Sequence, residues 1–278
     1  MAWYYIVAIA IAAVLALCFS IYLFLVAPGK RRAKMERFKT LSYAHRGLHG
    51  KGVAENSISA FRAAVEAGYG IELDVHLSSD GELVVFHDDT LDRVTEMSGR
   101  VDEKTAEELS KIKLCGTEDT VPTFKDVLEL VDGKVPLLVE IKEAAGEYGV
   151  TQKTIEMLRE YKGEFIIESF NPLALALVKK EMPDVLRGFL STDFLSNKKY
   201  KGQFQYFLLE NLLFNFLCRP DFISYNHSAP NNFSLKFVRR LFGAASLAWT
   251  VTSLEEEALA YKNGFDGVIF EQYTPKKY

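Results

Sequence analysis

The sequence predicts an α/β protein: a TIM-type (β/α)8 barrel with a small insertion after its second strand, preceded by one N-terminal transmembrane helix. Two observations predict the barrel. Short apolar runs typical of strands alternate with helical patterns, which indicates a parallel sheet. Eight such runs occur within about 240 residues, the usual length of one closed barrel. A long uncharged stretch at the start of the chain predicts the membrane helix.

Each predicted barrel strand is a short run rich in apolar and β-branched residues. The eight runs lie at residues 41–44, 70–75, 136–141, 165–168, 186–190, 221–224, 245–248 and 267–270. Helical patterns between most of them lie at residues 57–67, 151–161, 172–180, 235–242 and 254–262. Because all strands of such a barrel run the same way, residues that follow the strands meet at one end.

The connection after the second strand is too long for an ordinary loop. An Asp80-Gly81 turn predicts a hairpin that swings His87 back over the mouth of the barrel. Residues 88–135 then contain two further helical patterns, at 105–111 and 124–130. The sequence therefore predicts a cap insertion over 88–135, within a barrel domain of residues 41–278.

Residues 1–29 are predicted to form a transmembrane anchor. No side chain from Ala2 to Gly29 is charged, and residues 3–27 would span roughly 37 Å as a helix, enough to cross a bilayer with tilt. A cleaved signal peptide is disfavoured, because the run is long and no basic residues precede it. A buried helix of a soluble protein is disfavoured more strongly.

Residues 30–40 are predicted to be a basic juxtamembrane linker. This segment contains six basic residues and one acid, a local charge of +5, which by the positive-inside rule places the barrel on the cytoplasmic side. The whole chain carries −4, so the remainder is acidic. That balance, without a basic face interleaved with aromatic residues, argues against a nucleic-acid partner.

Two predicted strands carry pairs of charged side chains two residues apart, Glu72 with Asp74 and Glu140 with Lys142. This spacing puts both members of a pair on one face of a strand. Three carboxylates on a buried face would be unstable, and one divalent cation would remove the conflict. Oxygen ligands favour Mg²⁺ or Ca²⁺ over zinc. Salt bridges along a solvated sheet edge remain an equal alternative for either pair alone.

The wider pattern resembles the glycerophosphodiester phosphodiesterase family over residues 42–272. The resemblance is carried by AHRG at 44–47, ENS at 55–57, IELDVHLSSDGELVVFHDDTLDR at 71–93 and VEIK at 139–142. It implies a (β/α)8 barrel in which Glu72, Asp74 and Glu140 hold the metal ion.

The resemblance also implies roles for five other residues. His45 and His87 would be the acid/base pair, Arg46 and Lys142 would contact the phosphate, and Trp249 would line the substrate site, with core packing as its alternative. The chemistry agrees, because a phosphodiester anion needs cations around its oxygens and the imidazole pKa lies near neutrality. We assign His45 as base and His87 as acid.

Four further residues are interpreted without a catalytic role. His49, His76 and His227 are expected to be surface or satisfied core histidines, although His76 shares a strand face with the acidic pair. Glu271 stands near a position where the family usually has aspartate, which puts a direct role for it in doubt.

The predicted function is hydrolysis of glycerophosphodiesters to glycerol 3-phosphate and an alcohol by a membrane-anchored, metal-dependent enzyme. Two alternatives stay open: a lysophospholipase D acting on lysophospholipids at the membrane, and a catalytically silent barrel scaffold. The apolar segment at 204–217 either dips into the bilayer or packs against the cap or a partner subunit. The oligomeric state is not predicted.

Overall fold

The computed structural model describes residues 2–144 and 146–275. Its strands are β1 Ser42–Ala44, β2 Gly70–Leu77, β3 Leu83–Val85, β4 Leu137–Ile141, β5 Phe165–Ser169, β6 Arg187–Ser191, β7 Phe222–Asn226, β8 Ala245–Val251 and β9 Gly267–Phe270. Its helices are α1 Ala2–Val26, α2 Arg32–Lys39, α3 Ile58–Ala67, α4 Ala106–Leu109, α5 Phe124–Val131, α6 Gly149–Glu160, α7 Pro172–Glu181, α8 Phe204–Glu210, α9 Asn215–Cys218, α10 Phe233–Phe242 and α11 Leu254–Lys262.

Eight of these strands form a closed parallel barrel, which confirms the predicted fold. Neighbouring strands pair in the order β1, β2, β4, β5, β6, β7, β8 and β9, and β9 closes the ring by pairing with β1. Strand β3 pairs antiparallel with β2, as the predicted hairpin requires. All eight barrel strands therefore direct their C-terminal residues to one end, which we call the C-terminal end of the barrel.

The helices that return from this end begin at polar residues of the expected kind. The side chains of Ser57, Thr123, Asn171, Asn232 and Ser253 each accept a hydrogen bond from a backbone N–H in the first turn of the helix that follows. Such caps satisfy N–H groups that have no partner within the helix. These five caps therefore fix the residues at which α3, α5, α7, α10 and α11 begin.

The cap after β2 and β3 has a small core of its own, separate from the barrel core. Its buried residues include Phe86, Leu91, Val101, Leu109, Ile112 and Val121. Helix α5 belongs instead to the barrel, because Phe124, Val127 and Val131 are buried in the main core. The independently packed part of the insertion is thus narrower than the predicted 88–135.

The N-terminal end of the barrel is closed by α2. Met35 is 1% exposed and packs in the barrel interior, with neighbours that include Tyr43, Leu138, Phe222, Leu247 and Ile269. Residues 30–40, predicted as a linker, are thus held against the barrel. Hydrophobic packing of one methionine could not be predicted from the charge count of this segment.

The basic residues around α2 pair with acids at the same end of the barrel. Arg31 lies 2.5 Å from Asp221, which precedes β7, and Arg37 lies 2.5 Å from Glu164, which precedes β5. Part of the +5 charge of residues 30–40 is therefore neutralised by the protein itself.

Helix α1 is long and apolar enough to cross a membrane, over Trp3–Val26, and most of it is uncovered by the barrel. The apolar segment at 204–217 folds as two short helices, α8 and α9, instead of one continuous helix. Leu212 between them is fully buried, whereas Phe204 is 72% exposed. The segment therefore packs partly on the barrel and partly faces solvent.

Candidate active site

Three buried carboxylates converge inside the C-terminal end of the barrel. Asp74 on β2 and Glu140 on β4 are register partners, and Glu72 points to the same side two residues before Asp74. One ligand oxygen from each of the three lies within 4.8 Å of the others. Their exposures are 2% for Glu72, 0% for Asp74 and 7% for Glu140. The predicted cluster is thus assembled in space.

Burial and mutual repulsion shift the pKa values of the three carboxyl groups. Burial, with repulsion from Asp74 and Glu140, holds the pKa of Glu72 well above its usual range. Burial likewise raises the pKa of Glu140 to about 7, although Lys142 opposes the effect. Asp74 behaves differently: despite burial, Lys142, His87 and Arg46 hold its pKa below the usual range. Three buried carboxylates that repel one another, two of them with a raised pKa, are a suitable site for a hard divalent cation.

Two side-chain cations lie against the same carboxylates. Lys142 Nζ is 2.7 Å from Glu140 Oε1 and 3.0 Å from Asp74 Oδ1. Arg46 Nε is 3.6 Å from Asp74 Oδ2, and its backbone N–H donates to Glu72 Oε2 at 2.8 Å. Both predicted phosphate-binding residues therefore border the acidic cluster.

The turn after β1 explains why arginine and glycine stand together there. Arg46 has φ of 55° and Gly47 has φ of 79°, a left-handed conformation that favours glycine. A Cβ on Gly47 would lie 2.8 Å from the Cβ of Ala60. Asn56, also left-handed at φ 51°, donates from Nδ2 to Asp74 Oδ2 at 2.9 Å. The HRG and ENS motifs thus build one strained, tightly packed rim of the site.

His45 is held by a carboxylate from the neighbouring strand. Its Nδ1 lies 2.8 Å from Glu271 Oε2, and His49 Nε2 lies 3.4 Å from the same oxygen. The register pairs Ala44 on β1 with Phe270 on β9, so the residues that follow these two strands lie side by side. The two N–H donors hold the pKa of Glu271 below its usual range.

His45, His49 and Glu271 also satisfy the distance criterion for a metal site. One carboxylate oxygen that accepts from His45 at 2.8 Å and lies 3.4 Å from His49 Nε2 explains the geometry without an ion. Burial, aided by Arg46, lowers the pKa of His45, while Glu271 opposes that change. Both imidazoles are therefore oriented by the carboxylate that the sequence left without a role.

His87 follows β3 and carries its own carboxylate partner. His87 Nδ1 lies 2.5 Å from Asp88 Oδ1. His76 Nε2 lies 3.1 Å from the backbone oxygen of His87, so His76 holds the segment and remains outside the cluster. Burial lowers the pKa of His87 to about 4, with help from Lys142 and against the pull of Asp74.

A chain of ion pairs joins the cap to the turn after β1. Arg46 Nη1 lies 2.6 Å from Glu55 Oε1, Arg93 Nη2 lies 2.6 Å from the same oxygen, and Arg93 Nε lies 2.5 Å from Asp88 Oδ2. Although Glu55 is partly buried, the two guanidinium groups lower its pKa to about 2. This network links the histidine-bearing segments through Arg93, whose role the sequence did not reveal.

Aromatic side chains line one side of the mouth. The ring of Trp249 on β8 lies 5.6 Å from that of Phe170, which lies 6.0 Å from Phe194. His227 is held by its backbone N–H, which donates to Trp249 O at 3.1 Å, and its Nε2 lies 3.7 Å from Glu256. Phe170, which had no role in the sequence interpretation, therefore stands beside the predicted wall residue.

A fourth acid inside the barrel was not predicted. Glu168 on β5 is the register partner of Glu140, is 1% exposed, and accepts a hydrogen bond of 2.5 Å from Ser224 Oγ. Burial raises its pKa to about 8. Its position one strand beyond Glu140 could have been read from the strand spacing, but only with the barrel register already known.

Comparisons with known proteins agree with this geometry. Residues 45–273 match the model of the glycerophosphoryl diester phosphodiesterase family. A glycerophosphodiester phosphodiesterase of Caldanaerobacter subterraneus subsp. tengcongensis is 36% identical over 245 residues, which are 83% of this chain and 93% of that protein.

Two other relatives bear on the substrate. A phosphodiesterase of Oleispira antarctica, solved with the product sn-glycerol-3-phosphate, superposes with a TM-score of 0.69 at 26% identity, over 84% of this chain and 94% of that one. A lysophospholipase D of Rattus norvegicus is 31% identical over 147 residues, 48% of this chain and 45% of that protein. The chain belongs to the glycerophosphoryl diester phosphodiesterase family and is a phosphodiester hydrolase.

Proposed function

We propose that the protein hydrolyses glycerophosphodiesters to glycerol 3-phosphate and an alcohol, using one divalent cation, Mg²⁺ or Ca²⁺. The observation that carries this proposal is the convergence of Glu72, Asp74 and Glu140 within 4.8 Å, beside Arg46 and Lys142. The product bound to the Oleispira antarctica relative supports the same half of the substrate. When bound, the cation supplies positive charge that offsets the charge building up on the phosphoryl oxygens.

Side chains of the protein bind the substrate and transfer the protons. Arg46 and Lys142 bind and orient the phosphodiester oxygens. One imidazole accepts the proton of the attacking hydroxyl while the other donates a proton to the leaving alkoxide, so that one P–O bond forms as another breaks. If the neighbouring glycerol hydroxyl attacks, a cyclic phosphate forms and water then opens it; if water attacks directly, the products are the same.

We assign His45 as base and His87 as acid. The carboxylate of Glu271 accepts from His45 at 2.8 Å, so it stabilises the imidazolium that forms when His45 takes a proton. Asp88, the partner of His87, also pairs with Arg93 at 2.5 Å, which weakens its support for an imidazolium. His87 therefore gives up its proton more readily.

We propose further that α1 is a single-pass membrane anchor, with the barrel on the cytoplasmic side. The apolar run over Trp3–Val26 and the basic residues that follow it support this orientation. A second candidate activity is lysophospholipase D, which the similarity to the Rattus norvegicus enzyme favours. The silent scaffold is set aside, because the family match and the curated relatives support a phosphodiester hydrolase.

The test compares two substrates with the full chain in detergent or vesicles. Choline release from glycerophosphocholine and from lysophosphatidylcholine is measured with Mg²⁺, with Ca²⁺ and with a chelator. We expect metal-dependent release from glycerophosphocholine, lost in His45→Ala and Glu72→Ala but kept in His227→Ala, a matched imidazole outside the cluster. Full activity in the first two variants would contradict the assigned site.

A further inference from the structure

The C-terminal part of α1 is docked on the barrel instead of being free. Arg219 Nη1 donates to the backbone oxygens of Phe24 at 3.0 Å and Ala27 at 2.8 Å, and Asn215 Nδ2 donates to Val26 O at 2.8 Å. These groups satisfy carbonyls at the end of α1 that have no partner within the helix. The docking is therefore specific and polar as well as hydrophobic.

Residues 31 to 22 run along the outside of the barrel before the part of α1 that does not contact it. Arg31 is bound to Asp221 at the N-terminal end of the barrel. Tyr22 instead contacts the first two turns of α10, where its hydroxyl is 2.9 Å from Ser234 Oγ and its ring is 6.2 Å from that of Phe233 and 5.3 Å from that of Phe237. Because α10 starts after the C-terminal end of β7, residues 31 to 22 run from one end of the barrel towards the other.

Docking shortens the length of helix that is free to cross a membrane. The first ring contact with the barrel is that of Phe19 with Phe237, at 6.2 Å. Residues 3–18 remain, about 24 Å of helix at 1.5 Å per residue, whereas a bilayer core is about 30 Å thick. A free helix of this length crosses only if the barrel surface around Phe233 and Phe237 itself reaches the lipid interface.

Exposed apolar side chains surround the same end of the barrel. They occupy the first turns of the helices that follow β5, β7 and β8 and the helix α8, namely Leu173, Phe204, Phe207, Phe233 and Leu254. Helix α8 is fixed at this end because Tyr225, near the end of β7, donates from its hydroxyl to Glu210 O at 3.2 Å. Lys198, Lys199 and Lys201 precede α8 and suit phosphate headgroups.

An aromatic wall connects this surface to the active site. From Trp249 the rings continue through Phe170 and Phe194 to Tyr206 of α8, with the last pair 5.4 Å apart. Phe204 and Phe207 of the same helix are stacked 6.1 Å apart. An acyl chain leaving the bilayer at α8 would thus meet apolar side chains up to the mouth of the site.

We propose that the C-terminal end of the barrel rests on the bilayer through Leu173, Phe204, Phe207, Phe233 and Leu254, and that the enzyme takes lysophospholipids directly from the membrane. This inference rests on the proposed phosphodiesterase activity and on α1 as an anchor. It places the active site against the lipid surface and the basic residues around α2 away from it.

The first test is contact mapping with the full chain in phosphatidylcholine vesicles that contain a phosphatidylcholine with a photoactivatable acyl chain. Adducts are assigned to single residues by mass spectrometry. We expect adducts in α1 and also at Phe204, Phe207 and Leu173. The control is Leu241, which is 55% exposed near the C-terminal end of α10, at the N-terminal end of the barrel. Adducts confined to α1, or equally frequent at Leu241, would overturn the proposal.

The second test separates membrane seating from catalysis. In vesicles, replacing both Phe204 and Phe207 by serine should lower choline release from lysophosphatidylcholine roughly tenfold and leave release from soluble glycerophosphocholine unchanged. Leu241→Ser should change neither rate. Equal loss on both substrates, or no loss on either, contradicts the proposal. If the unsubstituted chain fails to cleave glycerophosphocholine, the proposed function fails, whereas the contact map still tests the membrane surface.

Discussion

Neutralising Glu140 should have opposite effects on stability with and without metal. Burial raises the pKa of this carboxyl from 4.5 to about 7 in the folded protein. A carboxyl whose pKa is higher in the folded state destabilises the fold as pH rises through 4.5 to about 7, because the unfolded chain loses the proton first. Above pH 7 the full cost applies, at most about 3 kcal/mol at 1.36 kcal/mol per pKa unit.

Glu140→Gln removes that cost in the metal-free protein. In chelator at pH 8, we expect Tm to rise by roughly 6 to 12 °C, since about 1 kcal/mol shifts Tm by 2–4 °C in a domain of this size. At pH 5, where the carboxyl is largely protonated in the folded state but mostly ionised in the unfolded chain, the gain should fall to about a quarter, roughly 0.8 kcal/mol. The exposed Glu160→Gln serves as control and should change Tm at neither pH.

Metal should make the unsubstituted chain more stable than Glu140→Gln, the reverse of the order expected in chelator. The unsubstituted chain with metal at 100 times its Kd gains about 2.7 kcal/mol of stability, whereas Glu140→Gln has lost one ligand and should gain little. The assay is thermal unfolding in chelator and in Mg²⁺ at both pH values. If Glu140→Gln is less stable than the parent in chelator at pH 8, or gains as much from Mg²⁺, the electrostatic reasoning is refuted.

Three further outcomes follow from the site. His45→Gln and His87→Gln should each lower turnover of glycerophosphocholine by about 10² to 10⁴ with Tm retained; near-normal rates in a folded variant would contradict their roles. Glu271→Gln removes the group that raises the pKa of His45, so the acidic limb of the pH–rate profile should move to lower pH and kcat should fall roughly tenfold, with partial recovery in Glu271→Asp. Glu168→Gln should stabilise the chelated protein at pH 9 by at most about 5 kcal/mol and hardly at pH 5, measured by thermal unfolding.

Sequence spacing predicted the barrel and its acidic cluster because both depend on local periodicity. Alternation placed Glu72 and Asp74 on one strand face, and parallel pairing brought Glu140 beside them, as the register shows. The same logic could have placed Glu271 next to His45, since closure of the barrel pairs the first strand with the last. That inference was missed because the two residues are 226 positions apart and the family usually has a different acid there.

Other features depend on tertiary packing and were beyond local patterns. The basic residues 30–40 predicted a juxtamembrane linker, yet Arg32–Lys39 forms a helix whose Met35 is buried inside the barrel. Likewise, hydropathy assigned residues 3–27 to the membrane as one span, whereas Asn215 and Arg219 hold the end of that helix on the barrel. Hydropathy measures the preference of a segment for an apolar environment, which here is supplied partly by protein.

The most direct test that Glu72, Asp74 and Glu140 bind one metal ion is a titration of the metal-free full chain with Mn²⁺, followed by electron paramagnetic resonance. Mn²⁺ takes the oxygen ligands that Mg²⁺ and Ca²⁺ prefer. Binding of one tightly held ion per chain, abolished in Asp74→Asn, is the result that convergence of the three carboxylates predicts. Undiminished binding in Asp74→Asn would contradict it.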